Sequence, residues 1–148
     1  MFAQQSIGWW YWLATSILLT AYLAGMPGAF EGVFFLLIVQ VAHLRLRDGS
    51  FIAFPVQVRI GYLAIFIVGM APNMVFLHWM QMIGVWAEVL AGYCLLARML
   101  ALLPVNRVVP ITPGLVRFAF VSPPAGGCIL HALNAYAHGE IVSPDDAT

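Results

Sequence analysis

An all-α integral membrane protein, folded as an antiparallel four-helix bundle with a Pro-interrupted cytoplasmic C-terminal tail, is the class this sequence predicts, on three observations. Of its 148 residues, 63% are hydrophobic and only 8% charged, with a mean hydropathy of +0.94; a soluble domain carries about a quarter charged residues. Four apolar segments approach the ~20 residues that a membrane helix needs. Finally, the six basic residues, all arginine, are distributed with a consistent sidedness along those segments.

The expected spans form a domain over residues 1–103. The first runs from about Ile7 to Ala24. Nothing before it reads as a positively charged leader region, and no small-residue cleavage site follows, so this segment is expected to remain in the mature chain. The turn Gly25-Met-Pro-Gly28 suits a tight hairpin into the second span, about Ala29 to Leu46. Pro55 falls where the first turn of a third helix tolerates a missing N–H, and that span extends to about Met70. Ala71-Pro-Asn73 then turns the chain into a fourth segment, Met74 to Leu103, which stops before Pro104.

Arg45, Arg47 and Arg59 flank the loop between spans two and three, and Arg98, Arg107 and Arg117 lie at or after the end of span four. The two short hairpins hold no Lys or Arg. By the positive-inside rule the arginine-bearing side is cytoplasmic, and four spans then put both termini there. A bacterial cytoplasmic (inner) membrane is the expected location. Trp9 to Trp12 reads as an aromatic anchor at the cytoplasmic interface.

Residues 104–148 form the expected tail, broken by Pro104, Pro110, Pro113, Pro123 and Pro124 into short interfacial pieces. Gly126 to His138 has apolar residues at helical spacing, Ile129, Leu130, Leu133 and Tyr136. His131 and His138 share a face but are too far apart on one helix to hold a single metal, and no metal site is expected. Cys94 and Cys128 belong to no paired-cysteine motif and are expected to be free thiols.

Glu88 is the most informative residue. A charge at membrane depth costs about 3 kcal/mol on insertion scales, so such a carboxylate is paired, protonated or functional. At about 1.5 Å per residue, Arg59 lies ~6 Å inside the cytoplasmic boundary and Glu88 ~9 Å inside it. Gln40, His43 and Gln57 fall in the same slab. The expected site is therefore a polar cluster of Gln40, His43, Gln57, Arg59 and Glu88, with an Arg59–Glu88 pair pinning helices three and four. Gln81 lies on the Glu88 side of its helix. His43 and His78 are candidate contacts for a haem or quinone, but ~20 Å of vertical separation prevents them from sharing one haem within a monomer.

No catalytic residue is assigned. The chain lacks a GxSxG, an HExxH, a Walker loop and a GxGxxG placed after a strand. Balanced charge removes nucleic acid from the partners. The expected partners are the lipid bilayer and other membrane subunits or a second copy. Three functions remain: an accessory or structural subunit of a larger, energy-transducing membrane complex; a small proton-coupled transporter using Glu88; and a haem- or quinone-binding redox subunit.

Overall fold

A computed structural model describes residues 7–107, 109–123 and 129–139. Among them the protein is all-α, with seven helices and no strand. The chain divides into two compact units, residues 1–91 and 92–148.

The first unit holds α1 (Ile7–Leu23), α2 (Ala29–Asp48), α3 (Phe54–Val68) and α4 (Phe76–Ala91). Each junction follows from local chemistry. Gly25 and Gly28 take φ of 85° and 78° in the α1–α2 turn, a left-handed conformation that glycine adopts without a Cβ penalty. Gly49, at φ 72°, closes α2 with its N–H on the Arg45 carbonyl. Pro55 sits in the first turn of α3, as its missing donor allows.

α1 packs on α2 and α4, and α3 packs on the same two, so the four helices occupy the corners of a square. Antiparallel order follows from cross-helix contacts. The start of α1 meets the end of α4 through a hydrogen bond from Trp9 Nε1 to the Val89 carbonyl (3.3 Å). Its later turns meet α4 again where Trp86 Nε1 donates to Thr20 Oγ1 (3.0 Å). Leu19, Val33, Leu37, Val56, Phe66 and Val85 fill the centre. Large apolar side chains face outward on every helix, among them Ile17, Phe35, Ile60 and Ile83.

The expected fourth span is not one helix. α4 stops at Ala91, Gly92 turns left-handed at φ 67°, and α5 (Leu95–Ala101) begins beyond Cys94. Cys94 Sγ accepts from the Ala97 N–H at 3.4 Å, capping the new helix. Among the described residues only α2 is by itself long and apolar enough to cross a membrane; α4 and α5 reach that threshold only when counted together across the break.

The second unit adds α6 (Pro113–Val121) and α7 (Ile129–Ala137) to α5. Thr112 caps α6 by accepting the Leu115 N–H, and Pro113 occupies the first turn. α7 lies inside the amphipathic stretch expected at Gly126 to His138, buries Ile129 and Leu133, and leaves His131 exposed. The Tyr136 ring stacks on Phe118 with centroids 4.3 Å apart. Cys128 lies outside the described residues.

Candidate functional site

Arg59 is the hub of the first unit. It is 4% exposed, and in an apolar interior a guanidinium must find acceptors for its N–H groups. Nη1 donates to Gln40 Oε1 at 2.6 Å and Nη2 to the Gly8 carbonyl at 3.1 Å. Its carbon Cζ lies 3.5 Å from the centre of the Trp12 ring, a cation–π contact across the diagonal of the square. Gln40, fully buried, turns its amide nitrogen to Thr15 Oγ1 at 2.8 Å and to the Tyr11 carbonyl at 3.4 Å. The network thus ties α1, α2 and α3 together.

His43 joins at its edge. The Tyr11 hydroxyl lies 2.5 Å from His43 Nδ1, while the Tyr11 carbonyl accepts from Gln40. Gln57 points its amide nitrogen instead to the Ile52 carbonyl at 2.7 Å, bracing the loop before α3. Of the five expected cluster residues, the structure brings Gln40 and Arg59 into direct contact and links His43 to them through Tyr11.

Two further clasps fix α3 against α4. Gln81 Nε2 donates to the Tyr62 carbonyl at 2.8 Å, and the Tyr62 hydroxyl donates to the Gln81 carbonyl at 3.1 Å. One turn along α4, His78 Nε2 meets the Phe66 carbonyl at 3.0 Å. That carbonyl is left over at the end of α3, because Gly69 N–H takes Ile65 O and Met70 N–H takes Ile67 O. His78 is therefore a cap for α3. It is 1% exposed. Its Nε2 must donate to a carbonyl, so in a neutral ring Nδ1 accepts from the Tyr22 hydroxyl at 3.2 Å. Gly69 makes the approach possible: a Cβ there would stand 2.5 Å from His78 Nε2.

These contacts set the helix register. Phe66 faces His78 and Tyr62 faces Gln81, and Glu88 lies half-buried further along α4.

The chemistry open to the two histidines now differs. Both ring nitrogens of His78 are occupied by Tyr22 and Phe66, so it could ligate iron only by giving up the Tyr22 hydroxyl at Nδ1 or the α3 cap at Nε2. His43 has Nδ1 oriented by Tyr11 and is the better placed of the two to offer Nε2. Among the described residues no three His, Cys, Asp or Glu side chains converge as a metal site.

The second unit has its own buried arginine. Arg98, 2% exposed, donates to the Ala119 carbonyl (2.6 Å), Ser122 Oγ (2.9 Å) and the Pro123 carbonyl (3.3 Å). Tyr93 lies under the guanidinium at 4.2 Å and donates to the Phe120 carbonyl. This cluster satisfies the final carbonyls of α6, where a cation is also favoured by the helix dipole.

Sequence reasoning passed over Trp12, Thr15, Tyr22, Tyr62 and Gly69 as site residues. The signal available was polar and aromatic residues at three- and four-residue intervals on α1, Tyr11, Thr15 and Tyr22 among them. No family model, no curated protein and no solved structure matches this chain.

Proposed function

We propose that this chain is a polytopic membrane protein acting as an accessory or structural subunit of a larger, energy-transducing membrane complex. One observation carries the reading. Buried Gln40, Arg59, His78 and Gln81 bond from helix to helix, locking the four-helix unit shut, while large apolar side chains cover its outside. A bundle of that kind offers lipid and neighbouring subunits an apolar surface and uses its polar residues to hold one arrangement.

Arg45, Arg47 and Arg59 gather at one end of the bundle, where α2 ends and α3 begins, and no Lys or Arg lies in the turns at the other. That distribution supports four spans with cytoplasmic termini in a bacterial inner membrane. Extraction of native membranes in mild detergent, followed by size separation and mass spectrometry, tests the subunit reading. Stoichiometric partners that stay bound through both steps are expected; recovery as a self-sufficient monomer or self-dimer would sink it.

A transport reading centres on Glu88, half-buried on α4 seven residues beyond Gln81. Proteoliposomes carrying Glu88→Gln separate the two functions: an altered pH dependence of flux favours transport, and defective assembly without flux favours the structural role. A haem or quinone version would run through His43, and an absorbance spectrum without a Soret band removes its haem form.

A further inference from the structure

Each unit carries three arginines and three carboxylates: Arg45, Arg47 and Arg59 with Glu31, Asp48 and Glu88 in residues 1–91, and Arg98, Arg107 and Arg117 with Glu140, Asp145 and Asp146 in residues 92–148. Arg98 is taken up by the end of α6. Arg107 is not: its Nε and Nη1 are buried and have no hydrogen-bond partner among the described residues. Donors of a permanent cation held out of water without an acceptor are costly, and the chemistry that relieves them is an anion with several oxygens.

The surroundings narrow the choice of anion. Arg107 lies in the connection between α5 and α6, which also exposes Leu103 (44%), Val105 (69%) and Ile111 (53%). A guanidinium flanked by outward-facing aliphatic side chains matches the layer of a bilayer where phosphates meet acyl chains. A soluble phosphate would gain nothing from those aliphatic residues.

We infer that the α5–α6 connection docks on an anionic bilayer surface, with Arg107 binding a lipid phosphate and Leu103, Val105 and Ile111 entering the acyl boundary. The inference deepens the membrane reading above and rests on it. It adds a lipid-headgroup site to a region that the sequence marks only as a Pro-broken tail.

The test uses the full chain, exchanged into mixed phosphatidylcholine and phosphatidylglycerol, repurified, and its retained lipids counted by native mass spectrometry. Wild type is expected to retain phosphatidylglycerol preferentially. Arg107→Gln should lower that retention about five-fold, the effect of one basic group at an anionic surface. Arg107→Lys should keep much of it, and Arg47→Gln, whose charge is matched by Asp48, should keep all of it.

Equal retention of both lipids by wild type, or unchanged retention in Arg107→Gln, overturns the inference. So does full displacement by millimolar inorganic phosphate, which would assign the site to a soluble anion. If Arg107→Gln fails to fold, wild type alone decides: its thermal midpoint must rise in phosphatidylglycerol over phosphatidylcholine and lose that rise in high salt. A chain that alkaline carbonate strips from native membranes contradicts the membrane reading as well; a stably embedded chain without lipid preference contradicts this inference alone.

Discussion

Arg59 and Arg98 are buried to nearly the same extent, each guanidinium against an aromatic ring and each donating to carbonyl oxygens. Their partners differ in topology. Arg59 reaches a side chain on α2 and a carbonyl on α1, so its bonds join separate helices. Arg98 reaches oxygens clustered at and just beyond the last turn of α6, so its bonds finish one helix. The same side-chain chemistry acts as a tertiary clamp in one unit and as a helix cap in the other.

Substitutions at these positions should expose the difference. The largest effect is expected for Arg59→Leu, which leaves Gln40 Oε1 buried without this donor and removes the Trp12 contact: a loss of about 3 kcal/mol. Amide exchange should quicken in α1, α2 and α3 together, and a change confined to α3 would refute the clamp. Arg98→Leu should cost about 2 kcal/mol. Its faster exchange should concentrate in the last turn of α6, with α1 to α4 unchanged.

Gly69→Ala comes next. The backbone there, at φ −63°, accepts alanine, yet the new Cβ would collide with His78. We expect a net loss of about 1–2 kcal/mol from overpacking. Combining it with His78→Ala should be clearly less than additive, and strict additivity in that double-mutant cycle would mean that Gly69 does not seat the imidazole.

Asp48→Asn should do least. The hydrogen bond from Arg47 holds the Asp48 carboxyl below its usual range. The pair's stabilisation is therefore present at neutral pH and lost as pH falls through the lowered value. Because the pair faces solvent, melting curves of wild type and variant should superimpose at neutral pH and physiological salt. A separation there that closes in acid would show the pair to be shielded from water.

The turns were the most legible part of the fold. Gly25, Gly28 and Pro55 announce their conformations because few residues tolerate those backbone positions. The Gln40–Arg59 contact was also foreseeable, since two polar groups at similar depth in an apolar chain have few other partners. The role of Trp12 was hidden. The polar positions of α1, Tyr11, Thr15 and Tyr22 among them, do not tell one tryptophan from the next, and Trp12 turns in to Arg59 while Trp10 stays exposed. His78 and Arg98 were hidden for another reason: their acceptors include backbone carbonyls, which every residue has and no sequence pattern flags. The break at Gly92 was hidden because one glycine in an apolar run leaves both a continuous and a broken helix open.

The lengths of the helices carry a consequence for where such a bundle can reside. α1, α3 and α4 have 17, 15 and 16 residues, about 23–26 Å at the usual rise, against a hydrocarbon core of ~30 Å. α2, at 20 residues, alone matches that thickness. Embedded upright, the bundle would face a negative hydrophobic mismatch along three of its four sides. The lipid beside those helices would have to thin while that beside α2 would not, drawing the protein toward shorter-chain lipids or toward neighbours that share the thinned annulus.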